Sequence, residues 1–69
     1  MKNPKKTFIA RLTALRRQQG LTQTALAKQA GISREYLARL EIGQQDPTLG
    51  TMTKLAQALK VRVAELLER

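Results

Sequence analysis

The sequence contains no cysteine, no histidine and no tryptophan. Without cysteine no disulfide can staple the chain, and without cysteine or histidine the usual zinc and redox ligands are missing. Only five acids are present, and they are scattered between Glu35 and Glu68, so they build no convincing carboxylate cluster. The expectation is a protein that is not an enzyme and that needs neither metal nor cofactor. Aromatics are as scarce, with Phe8 and Tyr36 alone. After the basic start Met1 to Lys6, only Phe8, Ile9 and Ala10 follow as an unbroken apolar run, too short for a signal peptide or a membrane span. A basic amphipathic membrane binder is disfavoured too, because a plausible core consumes the apolar residues.

What is abundant is positive charge. Thirteen Lys and Arg give a net charge of +8, which favours polyanions such as nucleic acid as partners. The balance is also uneven along the chain. Lys2, Lys5, Lys6, Arg11, Arg16, Arg17, Lys28 and Arg34 all precede the first acid, Glu35. Sixty-nine residues suffice for one domain with one small core, which must rest on tidy helix packing.

The stretch from Gln23 to Gly43 organises the rest. Leu26, Ala27, Ala30, Ile32, Leu37 and Leu40 fall at the inward positions of two short helices that cross steeply. Ala27 has no γ atoms and lets the helices approach, Gly31 can take the positive φ that ends the first, and Ser33 can cap the second. The outward positions of the second helix carry Arg34, Glu35, Tyr36 and Arg39, side chains suited to base edges in a major groove. The pattern is a helix-turn-helix.

In chain order, residues 1–6 read as a flexible basic arm and residues 7–69 as the folded domain. Asn3 before Pro4 is a competing helix start, with Thr7 as the alternative cap. The spacing of Phe8, Ile9, Leu12 and Leu15 predicts a first helix from Thr7 to Gln19, stopped by Gly20. Thr22 is the cap candidate for a second helix from about Gln23 to Ala30, and the third runs from about Arg34 to Glu41 or Ile42. Asp46 before Pro47 marks a turn. Thr48 then caps a fourth helix with Leu49, Met52, Leu55, Ala56 and Leu59 on its apolar side. Lys60 stands where glycine would be more comfortable, and Arg62 is a poor cap for a last helix from Val63 to Glu68. The architecture is an all-α, compact five-helix bundle, its expected core being Leu12, Leu15, Leu26, Ala27, Ile32, Leu37, Leu40, Leu55 and Leu59.

The succession Gly20-Leu21-Thr22-Gln23, Leu26-Ala27, Ala30-Gly31-Ile32-Ser33, Leu37, Leu40-Glu41, Gly43, Pro47-Thr48-Leu49 and Lys54-Leu55-Ala56 with Leu59 and Val61 resembles the Cro and phage-repressor family of helix-turn-helix regulators. The resemblance covers Phe8 to Leu67. It implies the lambda-repressor-like fold, binding to double-stranded DNA, and a homodimer, weak in solution and completed on a palindromic operator. Arg34, Glu35 and Arg39 match the family's base-reading positions. Tyr36 joins them as a reader of a thymine methyl or a phosphate, or else covers the core. Glu35 and Arg39 also stand at the spacing of a helix ion pair. Thr22, Gln23, Lys28, Gln44 and Gln45 are the expected phosphate-binding residues, and the resemblance implies that Gln23 also braces the recognition helix. Arg16 and Glu41 match a family ion pair that ties the recognition helix to the scaffold. Val61, Val63, Leu66 and Leu67 are the candidates for the dimer contact. The chain departs from the family pattern at Ile42, which replaces a commoner polar residue, and at Asp46, an acid in a loop that is often basic.

The function expected is a cytoplasmic, nucleoid-associated transcriptional regulator, most simply a repressor. The alternative is an antitoxin-type interaction module that neutralises an unknown protein partner and uses DNA binding for autoregulation. No separate partner-binding tail follows Leu67 in the sequence.

Overall fold

In the computed structural model, which describes residues 4–67, five helices follow one another: α1 (Pro4–Gln18), α2 (Gln23–Ala30), α3 (Arg34–Glu41), α4 (Leu49–Leu59) and α5 (Val63–Leu67). No strand occurs among the described residues. Three of the four later helices begin identically. Thr22, Ser33 and Thr48 each accept, at 3.0 Å, a hydrogen bond from the backbone N–H three residues on. One orphan donor per helix is satisfied in this way, worth about 1 kcal/mol each.

The helix ends are equally regular. Gly31 takes φ 74°, ψ 31°, and the turn closes through Ile32 N–H to the Ala27 carbonyl at 3.0 Å. The hydrogen bonding repeats at the end of α4, where Val61 N–H reaches the Ala56 carbonyl at 3.0 Å, but there the left-handed residue is Lys60, φ 63°. A β-carbon in this conformation costs about 1 to 2 kcal/mol, so α4 ends under strain that the helix hydrogen bonds and the burial of α5 offset. The start of α5 is held from the far side of its first turn. Glu65 reaches back and accepts the Arg62 N–H at 2.8 Å, which compensates for the poor cap at Arg62.

Helix α1 begins at Pro4 rather than Thr7, so Lys5 and Lys6 belong to its first turn and not to an arm. The physical reason is a tertiary anchor: Lys5 Nζ pairs with Asp46 at 2.6 Å and donates to the Gly43 carbonyl at 3.0 Å. Proline also presets the φ of a first helical residue. Residues 1–3 of the expected arm, with Glu68 and Arg69, lie outside the described residues.

The buried core comprises Phe8 and Leu12 from α1, Leu26, Ala27 and Ala30 from α2, and Leu37 and Leu40 from α3. Leu55, Ala56 and Leu59 of α4 and Leu66 of α5 complete it. Two expected core residues, Leu15 and Ile32, pack only against its edge. Phe8 and Leu66 take the central places instead, because α5 folds back onto α1 and closes that side. Helix α2 packs on both α3 and α4, and α3 also rests on α1, so α3 is backed from two sides. Among the described residues no helix is long and apolar enough to cross a membrane.

Candidate nucleic-acid interface

Helix α3 turns Leu37 and Leu40 inward, both fully buried, and its opposite face carries Arg34, Glu35 and Arg39 into solvent. These three are the expected base readers, and the fold brings them to one exposed face. Glu35 does not pair with Arg39. Its carboxylate stands 3.7 Å from Arg34, its chain neighbour, in a loose contact between half-exposed groups. A contact of that kind contributes little in water, so Arg34 keeps its freedom to meet another anion. Tyr36 is turned sideways. It is half-buried against the core, and its hydroxyl lies 3.3 Å from Thr51 Oγ1, which itself accepts from Thr48 Oγ1 at 3.0 Å. The ring thus couples α3 to the start of α4.

The inner flank of α3 is fixed by a polar network. Glu41 Oε2 accepts from Arg16 Nε at 2.8 Å, and Glu41 Oε1 accepts from Arg16 Nη2 at 3.1 Å and from Gln23 Nε2 at 3.0 Å. Arg16 Nη1 donates to the Leu21 carbonyl at 2.9 Å. Only 11% of the Arg16 side chain and 6% of that of Glu41 are exposed. Two parallel charge-assisted bonds in such shelter define orientation as well as contributing energy. The hydrogen bond to Glu41 raises the already high pKa of the guanidinium, and burial pulls the other way. Every buried side-chain polar atom among the described residues has a partner. The network joins α1, the start of α2 and the end of α3 at one point.

Thr22 and Gln23, expected at a phosphate, stand at the start of α2, where Thr22 serves as cap and Gln23 braces Glu41. Lys28, Gln44 and Gln45 are exposed, the glutamines in the loop after α3. The four dimer candidates separate. Leu66 is wholly buried within its own chain and is removed from that list, Val61 and Val63 are half-buried, and Leu67 is exposed. Links with no counterpart in the sequence expectations include Lys5 with Asp46, Tyr36 with Thr51, and Gln19, whose Nε2 donates to the Leu59 carbonyl at 2.8 Å. Arg16 itself carried a signal, for it lies four and eight residues beyond Leu12 and Phe8, on the apolar stripe of α1.

A helix-turn-helix family model, HTH_3, matches residues 12–66, which span the end of α1 through α5. The chain belongs to this family. Over 52 residues it is 48% identical to an uncharacterized HTH-type transcriptional regulator of Sinorhizobium fredii, covering 75% of this chain and 68% of that one. Over 56 residues it is 39% identical to the immunity repressor protein of Bacillus phage phi105, covering 81% of this chain but 39% of the repressor. Among solved structures it is similar to SinR of Bacillus subtilis, a master regulator for biofilm formation, in complex with DNA. There the TM-score is 0.83 at 29% identity, covering 88% of this chain and 98% of that chain. The chain is accordingly a helix-turn-helix transcriptional regulator of the Cro and phage-repressor type, not an enzyme.

Proposed function

We propose that this helix-turn-helix protein is a repressor that binds a palindromic operator in double-stranded DNA as a homodimer, with α3 of each subunit in a major groove. The observation that carries the reading is the division of α3 into two faces. One presents Arg34, Glu35 and Arg39 to solvent, and the other is clamped by Arg16, Glu41 and Gln23. A reading face held rigidly on a chain of net charge +8 is what base recognition requires, because phosphate attraction supplies affinity and fixed side chains supply selectivity. Arg34 and Arg39 have the fork for guanine O6 and N7, and Glu35 can accept from cytosine N4. At the start of α2, the second hydrogen of Gln23 Nε2 and the unpaired helix-start amides meet a phosphate, with Lys28, Gln44 and Gln45 on the flanks. Work of this kind is done at the nucleoid, in the cytoplasm.

Selection from a random duplex library tests the reading, and enrichment of one palindrome is expected. Affinity for the selected duplex should fall steeply with salt, with a log–log slope of about −0.9 per phosphate neutralised. Arg34→Ala should relax the preference at one base pair and cost about 1 to 3 kcal/mol, while Gln23→Ala weakens all sequences evenly. An unchanged preference in Arg34→Ala, measured by fluorescence anisotropy, would return that arginine to a solvated role.

One recognition helix covers too few base pairs to select a site in a genome, and doubling the readout is the available remedy. Val61, Val63 and the exposed Leu67 offer the apolar surface, and Leu67 also borders a shallow groove with Pro47 and Met52. A patch so small gives weak association in solution that two adjacent half-sites complete. Half-site centres should lie about 34 Å apart, and inserting about 5 base pairs between them should abolish cooperative binding in a gel shift. Equal cooperativity at every spacing would rule the geometry out.

A further inference from the structure

Ile42 is the residue that the scaffold leaves without a purpose. It follows the last residue of α3 with φ −97° and ψ 6°, and its N–H still bonds the Ala38 carbonyl at 3.2 Å, so it keeps the phase of the helix. Three, four and seven residues before it stand Arg39, Ala38 and Glu35, which places Ile42 in line with the outward face of α3. It is 68% exposed, one of three large exposed apolar side chains among the described residues. The other two, Leu49 and Leu67, lie on α4 and α5. The core therefore does not use it. One flank borders a shallow depression lined by Ile9 and Ala10 of α1, with Lys6 at the rim; the rest is open.

We propose that Ile42 is a specificity-determining residue that reads the C5-methyl group of a thymine in the major groove. The inference rests on the DNA-binding reading above and deepens it. A branched aliphatic side chain has nothing to offer the donors and acceptors of base edges, and the thymine methyl is the one apolar group that the major groove displays. Burying the two against each other removes apolar surface of both from water, which a base without the methyl cannot match. Ala38, one turn earlier on the same face, adds no side chain long enough to obstruct the approach. Seven residues of helix span about 10.5 Å, or about three base-pair steps, so Ile42 addresses a base pair beyond the one that Glu35 faces. A contact with a deoxyribose would use the same surface but would ignore sequence, and the experiment separates the two.

The test uses the whole chain and the duplex enriched by selection. Each thymine in turn is replaced by deoxyuridine, which removes only the methyl group, and dissociation constants are measured by anisotropy. One position per half-site should weaken wild-type binding about fourfold. Ile42→Asn should bind the thymine and deoxyuridine duplexes at that position equally, and should respond as wild type does everywhere else. Its circular dichroism and melting should be unchanged, since the side chain lies outside the core. A selected duplex with no methyl-sensitive thymine, a sensitivity that persists in Ile42→Asn, or a loss spread evenly over all sequences would overturn the proposal and leave DNA binding intact. Failure of the wild type to bind any duplex would overturn the DNA-binding reading, and this inference with it.

Discussion

Glu41→Ala is expected to destabilise the domain by about 3 to 5 kcal/mol, the cost of stranding one partner of a buried ion pair. The variant removes both acceptor oxygens from the Arg16 guanidinium and the acceptor of Gln23, and leaves Arg16 with the Leu21 carbonyl alone. At 11% side-chain exposure water replaces little of what is lost. A domain of this size is stable by about 3 to 10 kcal/mol, so Glu41→Ala approaches the whole margin. The double variant Arg16→Met/Glu41→Leu should be less destabilised than the sum of its singles, because it leaves no unpaired charge behind. Urea denaturation of the four proteins measures the coupling. Additive single effects below about 1 kcal/mol would mean that the pair is no more than two surface charges.

Leu37→Ala should cost about 2 to 5 kcal/mol, from lost burial and from the cavity left where α3 meets the bundle. Leu37 is fully buried, and it lies on the helix whose opposite face carries the proposed readers. Loss of packing at Leu37 therefore removes DNA binding as well as stability. Leu37→Met, which nearly conserves volume, should stay within about 1.5 kcal/mol. Leu49→Ala is the contrast: at 70% exposure it should lie within about 0.5 kcal/mol of wild type. Thermal melts of the three variants decide the matter. Equal melting points for Leu37→Ala and Leu49→Ala would show that the core does not centre on α3.

Both predictions use residues visible in the sequence, since local chemistry fixes much of this fold. Thr22, Ser33 and Thr48 cap where their residue type and position say they should, and Gly31 ends α2 as a residue free to take positive φ. Arg34, Glu35 and Arg39 follow from the same helical phase that buries Leu37 and Leu40. The Arg16–Glu41 pair was legible only through family resemblance, because a separation of 25 residues leaves no periodic trace. The resemblance likewise implied that Gln23 braces the helix that follows, but not that Glu41 is the group it reaches.

By itself, then, the sequence determined the helix-turn-helix, its caps and its outward-facing polar residues, all of which depend on neighbours within a turn or two. Only the tertiary structure decided what depends on distant neighbours. It started α1 at Pro4 because Lys5 meets Asp46, and it drew Glu41 to both Arg16 and Gln23. It buried Phe8 and Leu66 in preference to Leu15 and Ile32, and it left Ile42 and Leu67 in water. Hydrophobicity is the same kind of signal at each of these positions. Which apolar side chain is covered depends on where another helix lands, and that is a property of the closed bundle rather than of any stretch of chain.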